Sequence, residues 1–199
     1  MSLIWHDTIA AIVFWLTYVA FIALDARLIL RSLSGHPPGD TPVVARAAVH
    51  RPVGLGGIVA AEVLGLAATF IAAAALPGKW ICLAIGLIVA WCGIALRFWA
   101  KRSLGRFFVG AVVMQPDHEI IDTGPYAVIR HPGYAGSVLA LGGLSLATAN
   151  AITLAVFLAV PLAIYLTTIP VEEAALTANL GENYADYRKR TGRLLPRLW

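Results

Sequence analysis

Charge is scarce in this chain. Asp, Glu, Lys and Arg make up 13% of its 199 residues, against 59% hydrophobic, where soluble domains carry roughly a quarter charged. That balance excludes a water-soluble single domain. It also excludes intrinsic disorder, which needs low hydrophobicity and high net charge. Cysteine is nearly absent: Cys82 and Cys92 stand ten residues apart in one apolar run, about 15 Å along a helix, too far to pair. A disulfide scaffold is therefore ruled out. The five histidines, His6, His36, His50, His118 and His131, form no HxxxH or HExxH pattern, so no metal site is expected. The first seven residues hold no Lys or Arg, so the basic n-region of a cleavable signal peptide is missing and the first apolar run is expected to stay in the mature chain. The net charge of +4 would suit a nucleic-acid partner. The basic residues, however, lie between apolar runs too long to remain in water, so membrane topology accounts for them and no nucleic acid is expected.

What is present is a succession of apolar runs. Thr8 to Leu24 is the first, extended to Leu30 past Asp25 and Arg27. Val53 to Leu76 is the second, interrupted by Glu62 and closed by Pro77-Gly78, and Trp80 to Leu96 is the third. From Gly133 to Val171 no charge occurs over 39 positions, which as one helix would measure about 58 Å, nearly twice the hydrocarbon core. That stretch must fold back. The polar break Thr148-Ala149-Asn150 gives a helical hairpin of spans four and five, with Pro161 expected to kink the latter. Gly181 then breaks the helix, and Glu182 to Arg190 forms a short amphipathic helix. The expected fold is thus all-α, an integral membrane protein with five transmembrane helices. Fourteen of the fifteen Lys and Arg fall on one side of that arrangement, Lys79 being the exception. By the positive-inside rule that side is cytoplasmic, which puts the N-terminus outside and the C-terminus in the cytoplasm.

The hairpin also brings two polar stretches together at the cytoplasmic surface, Gln115 to Tyr134 and Glu172 to Pro196. In Arg130-His131-Pro132-Gly133-Tyr134, Pro132 marks the first turn of span four, whose unpaired N–H groups favour an anion. Arg130 and His131 strengthen that preference, and Tyr134 offers an aromatic face to a cation. Anchoring at lipid headgroups, with Tyr134 in an aromatic belt, fits the same residues equally. Glu172 and Glu173 end the fifth span and also suit a plain water boundary. Glu62 lies near mid-membrane on a helix carrying Gly57, Ala61, Gly65 and Thr69 at four-residue spacing, a pattern for close helix contact. It reads either as a neutral group bonded across that contact or as a polar group in an acceptor tunnel.

Taken in order, His118-Glu119-Ile120-Ile121, Gly124-Pro125-Tyr126, Arg130-His131-Pro132-Gly133-Tyr134-Ala135-Gly136, Glu172-Glu173, Gly181-Glu182-Asn183-Tyr184 and Leu195-Pro196 resemble the isoprenylcysteine carboxyl methyltransferase family, in its bacterial-type integral membrane form. The resemblance implies S-adenosylmethionine as methyl donor, S-adenosylhomocysteine as product and a lipophilic acceptor drawn from the bilayer among membrane lipids. It implies donor contacts by His118, Glu119, Ile120, Ile121, Tyr126, His131, Pro132, Gly133, Tyr134 and Glu172. Gln115 matches a further pocket glutamine, and Arg130 joins the set through the helix-start argument. No catalytic base is required for a carboxylate or thiolate acceptor; Glu173 is the candidate for an amine. Eukaryotic members carry an arginine four residues before the cofactor glutamate, where this chain has Thr168. Phospholipid N-methyl and thiol S-methyl transfer are therefore alternatives, with Thr168 and Glu62 as candidate acceptor contacts. A membrane sterol reductase and a structural or channel-like protein are the rival classes. The chain is read as one domain, 1–199, with a three-span part at 1–110 and a cofactor-binding part at 111–199.

Overall fold

A computed structural model describes residues 5–34, 45–105 and 120–196. Five α-helices follow in chain order: α1 (Thr8–Ser34), α2 (Ala45–Ala68), α3 (Lys79–Leu104), α4 (Pro132–Ala147) and α5 (Ala151–Arg190), with 3₁₀ turns at Ala72–Ala74 and Gly124–Ala127. The all-α expectation agrees with this order.

Local chemistry sets the boundaries. Gly78, at φ 68°, turns the chain into α3, and Gly105, at φ 51°, ends it with its N–H on the carbonyl of Arg102; both conformations suit glycine because it lacks a Cβ. Pro132 takes the first helical position of α4, where a missing N–H costs no hydrogen bond. Asn150 caps α5 by accepting from the N–H groups of Ile152 and Thr153. Its Nδ2 donates to the carbonyls of Ala68 and Ile71 at 3.1 and 3.3 Å, so one side chain starts α5 and finishes α2. The hairpin turn therefore falls on the Thr148-Ala149-Asn150 break. Helix α5 keeps helical dihedrals through Pro161 and Pro170, and its non-helical residue is Gly181 (φ 55°, ψ −130°). The break lies where expected at Gly181, while Pro161 leaves the helix path regular in its dihedrals.

Small residues set how closely the helices approach. A Cβ added to Gly93 of α3 would lie 2.3 Å from the backbone nitrogen of Ala140, and one on Gly143 of α4 would lie 2.3 Å from that of Ala90. Together with Gly86 and Gly136, these glycines recur every seven residues on both antiparallel helices, so the backbones of α3 and α4 touch along their length. Helix α2 lies on α5 through its own stripe: Gly57 faces Ile164, Gly65 faces Phe157, and Thr153 Oγ1 donates to the Gly65 carbonyl at 2.7 Å. The expected contact face is thus in place. Phe14, Leu141, Leu144 and Phe157 fill the centre with almost no exposed surface, each contributing about 1.5–3 kcal/mol by burial.

The five-span expectation is corrected. Among the described residues, two helices are long and apolar enough to cross a membrane, α3 and α5. Helix α4 has 16 residues, a rise of about 24 Å against a core of about 30 Å. Among the described residues the apolar stretches of α1 and α2 are Thr8–Leu24 and Gly56–Ala68, shorter than the roughly 20 residues a span typically takes. The physical reason is that hydropathy counts apolar residues without knowing what covers them. In α4 the cover is protein: Ala140, Leu141, Gly143, Leu144 and Ala147 are all buried. The opposite-sided termini, deduced from an odd number of crossings, go with that count. Helices α3 and α5 do carry exposed apolar faces, with Ile81, Ile85 and Ile88 on one and Leu162 and Leu166 on the other.

Candidate functional site

Because the chain reverses at Asn150, the first turn of α4 lies beside the distal half of α5. The segment 191–195 then returns across both. Arg130 N donates to the carbonyl of Gly192 at 2.7 Å, His131 N to that of Arg193 at 3.0 Å, and Gly192 N to that of Val128 at 3.2 Å. Three pieces of chain are thereby fixed at one end of the bundle.

Two adjacent carboxylates divide this end between them. Glu172, partly exposed, accepts from Tyr134 Oη at 2.5 Å and stands 3.6 Å from His131 Nδ1. The rings beside it are stacked, His131 on Tyr134 at 5.8 Å and Tyr134 on Tyr165 at 4.4 Å between centroids. A carboxylate at the edge of aromatic faces suits a cation, and the dipole of α4, positive at its start beside it, suits an anion. Glu173 points elsewhere and is buried. It accepts from Arg130 Nε at 2.7 Å and from Arg193 Nε at 2.9 Å, with His131 Nε2 at 3.4 Å. Arg130 Nη1 donates to the carbonyl of Arg188 at 3.2 Å and to that of Thr191. This is a buried ion cluster whose charges are paired and hydrogen-bonded, the condition for holding charge away from water.

The preceding turn is fixed as firmly. The Tyr126 carbonyl accepts from Tyr187 Oη at 2.7 Å, and Asp122 pairs with Arg190 at 2.8 Å. Burial pushes the Tyr126 phenol above its usual range; the nearby Tyr187 and Glu172 push the same way, and Arg97 opposes them. Arg97, from the last turns of α3, donates to the Gly133 carbonyl at 2.8 Å and to Ser137 Oγ.

Tyr126, Arg130, His131, Pro132, Gly133, Tyr134, Glu172 and Glu173 therefore lie within one region, and Ile120 and Ile121 lead into it, half-buried. Gln115, His118 and Glu119 lie outside the described residues. Glu62 belongs to a different contact: its Oε2 accepts from Tyr18 Oη of α1 at 2.7 Å. Thr168 Oγ1 donates to the Ile164 carbonyl of its own helix at 2.8 Å. Sequence reasoning placed Arg97, Tyr187 and Arg193 at this end but assigned none of them, nor Tyr165 or Ser137, to the site. Tyr165 had a signal, since it stands seven residues, two helical turns, before Glu172 and so shares its face. Arg193 had none, because only the returning segment brings it to Glu173.

Comparison with known proteins follows the same region. Residues 84–178 match the model of the isoprenylcysteine carboxyl methyltransferase (ICMT) family. A probable protein-S-isoprenylcysteine O-methyltransferase of Oryza sativa subsp. indica is 28% identical over 119 residues, 59% of this chain and 62% of that protein. The protein-S-isoprenylcysteine O-methyltransferase of Schizosaccharomyces pombe is 31% identical over 106 residues, 52% of this chain and 45% of its own length. The nickel-cobalt-cadmium resistance protein NccN of Alcaligenes xylosoxydans is 33% identical over 121 residues, 60% of this chain and 53% of that protein. The chain thus spans roughly half to three-fifths of these relatives. The structure of the eukaryotic intramembrane Ras methyltransferase ICMT shares the fold, with a TM-score of 0.67 at 23% identity over 91% of this chain and 66% of that one. Residues 84–178, which hold the His131, Tyr134 and Glu172 meeting point, are therefore similar to the ICMT family, through relatives mainly eukaryotic rather than specifically bacterial.

Proposed function

We propose that this chain is a membrane-associated, S-adenosylmethionine-dependent methyltransferase acting on a lipophilic acceptor, of the isoprenylcysteine carboxyl methyltransferase kind. The observation that carries the reading is the meeting of Glu172 with Tyr134 and His131. A cation-favouring carboxylate beside stacked rings and an anion-favouring helix start answer the two poles of an amino-acid sulfonium. His131 stands between the two carboxylates, with Nδ1 3.6 Å from Glu172 and Nε2 3.4 Å from Glu173, which fixes its ring beside the positive pole. The donor set fits the cofactor.

When bound, S-adenosylmethionine supplies an electrophilic methyl group on a sulfonium. Glu172 and the Tyr134 face hold the positive end, while His131, Pro132 and Gly133 present the start of α4 to the carboxylate. Tyr126, Ile120 and Ile121 form the wall before that helix, and Gln115, His118 and Glu119 complete the set in this reading. The chain's contribution is positioning and exclusion of water, which supply most of the acceleration in an in-line displacement. A carboxylate or thiolate acceptor needs no base. Both oxygens of Glu173 are engaged by arginines, so its role is to hold Arg130 and the returning segment in place rather than to take a proton. Arg130 acts through the same cluster.

The bacterial-type reading and the open acceptor class rest on Thr168, which stands where a prenylcysteine carboxylate would otherwise meet arginine; phospholipid N-methyl and thiol S-methyl transfer stay as alternatives. Residues 1–110 form the bundle part and 111–199 the donor-binding part. Arg97, Lys101 and Arg102 of α3, Arg130 and Arg188 to Arg193 lie at this end of the bundle, and Lys79 lies at the start of α3, which supports a cytoplasmic site. Calorimetry with S-adenosylhomocysteine on purified protein tests the donor: saturable binding weakened by Glu172→Gln and Tyr134→Phe is expected, and absence of binding overturns the reading. Membranes labelled with methyl-tritiated donor and then treated with alkali should release volatile label if the acceptor is a carboxylate and retain it for N- or S-methyl products.

A further inference from the structure

A second feature lies along the distal part of α5, beside Glu173. An open groove of about 460 Å³ is lined by Pro170, Ala174, Ala178, Arg188 and Arg193, with Glu173 at its base. Its apolar wall continues a stripe on α5. Leu162, Leu166, Pro170, Ala174 and Ala178 recur at four-residue spacing and are all exposed, so they form one ridge that winds about 40° round α5 at each step. The ridge leads from the long apolar part of α5 obliquely to a mouth bordered by arginine.

The charges at that mouth do not cancel. Lys189 pairs with Asp186 and Arg190 with Asp122, while Arg130 and Arg193 share the single carboxylate of Glu173. Arg188 is thus an exposed guanidinium on the groove wall with no compensating carboxylate among the described residues. Beside an apolar channel at the end of a membrane-crossing stretch, a cationic surplus is complementary to a phosphate carrying acyl chains.

We infer that this groove is a binding site for an anionic phospholipid, whose acyl chain lies along Leu162, Leu166, Pro170 and Ala174 and whose phosphate meets Arg188 and Arg193. The site is separate from the donor region, and its occupant is a membrane lipid rather than the methyl acceptor.

Native mass spectrometry of the delipidated full chain, titrated with dioleoylphosphatidylglycerol or dioleoylphosphatidylcholine, tests it. The wild type should favour phosphatidylglycerol by at least about fivefold, the factor corresponding to roughly 1 kcal/mol for one basic residue at a membrane surface. Arg188→Gln should bring the preference close to one while leaving S-adenosylhomocysteine binding and the unfolding temperature unchanged. Ala174→Trp, which fills the groove and keeps every charge, should lower the affinity for both lipids. An unaltered preference in Arg188→Gln, or no preference in the wild type, overturns the inference. So does displacement of the lipid by millimolar inorganic phosphate, which would make this a free-anion site.

Discussion

Replacing Glu173 by Gln and, separately, Glu172 by Gln separates the work of two carboxylates adjacent in the chain. Glu173 is 3% exposed and faces Arg130 Nε at 2.7 Å and Arg193 Nε at 2.9 Å. Glutamine keeps the shape but removes the charge, and its amide nitrogen turns a donor toward one of two donors. A buried pair broken from one side costs about 3–5 kcal/mol, because the remaining charge stays buried without compensation. Arg130, itself 9% exposed, is that charge. For a chain of this length each kcal/mol moves the unfolding midpoint by about 2–4 °C, so Glu173→Gln should unfold roughly ten degrees or more below the wild type. Glu172 is more exposed, and glutamine still accepts from Tyr134 Oη, so Glu172→Gln should lower the midpoint by no more than about 3 °C, the shift for roughly 1 kcal/mol. It should nevertheless lose most of its S-adenosylhomocysteine binding. Thermal unfolding in detergent by circular dichroism, together with calorimetric titration, reads both effects. The reasoning is refuted if Glu173→Gln melts with the wild type, or if the two variants lose stability equally.

Three further outcomes follow from the packing and electrostatics. Gly143→Leu should abolish the monodisperse folded peak in size-exclusion chromatography, because its Cβ would lie 2.3 Å from the Ala90 backbone nitrogen; Gly133→Ala, with nothing within 4 Å, should run as wild type, and a folded Gly143→Leu would contradict the close approach. Glu62→Gln keeps an acceptor for Tyr18 and should preserve methyl transfer, while Glu62→Leu leaves the Tyr18 hydroxyl without it and should lower the melting temperature by an amount equivalent to about 1–3 kcal/mol; a large activity loss in a well-folded Glu62→Gln would instead favour the tunnel reading. Raising the pH should destabilise the fold through Tyr126, whose phenol is held above its usual value of about 10. Below that value both states are protonated and the contribution is complete; above it the unfolded chain releases the proton first, so stability is lost as pH rises. The drop in melting temperature between pH 9 and pH 11 should be smaller in Tyr126→Phe, and an identical drop would remove Tyr126 from the account.

Much of the donor region was legible because its logic is local. Pro132 starts a helix wherever the chain allows it, Asn150 caps one, and 39 uncharged residues have to fold back, so His131 and Glu172 were bound to emerge at the same end. The small-residue stripe of α2 announced a close helix contact but named no partner; α5 fills that place through Phe157 and Ile164. The seven-residue glycine register of α3 and α4 went unread, since each half of it has meaning only against the other.

The sequence by itself determined the all-helical build, the hairpin and the proximity of the two ends, because periodicity, capping and chain length act within a few turns. Only the tertiary structure showed that α4 turns its apolar residues to protein, since an apolar surface turned to a neighbouring helix reads the same as one turned to lipid. It alone also gave Glu172 and Glu173 different partners. Adjacent positions on a helix point about 100° apart, and what each carboxylate meets depends on the returning segment at Thr191 to Arg193, which no local rule could place.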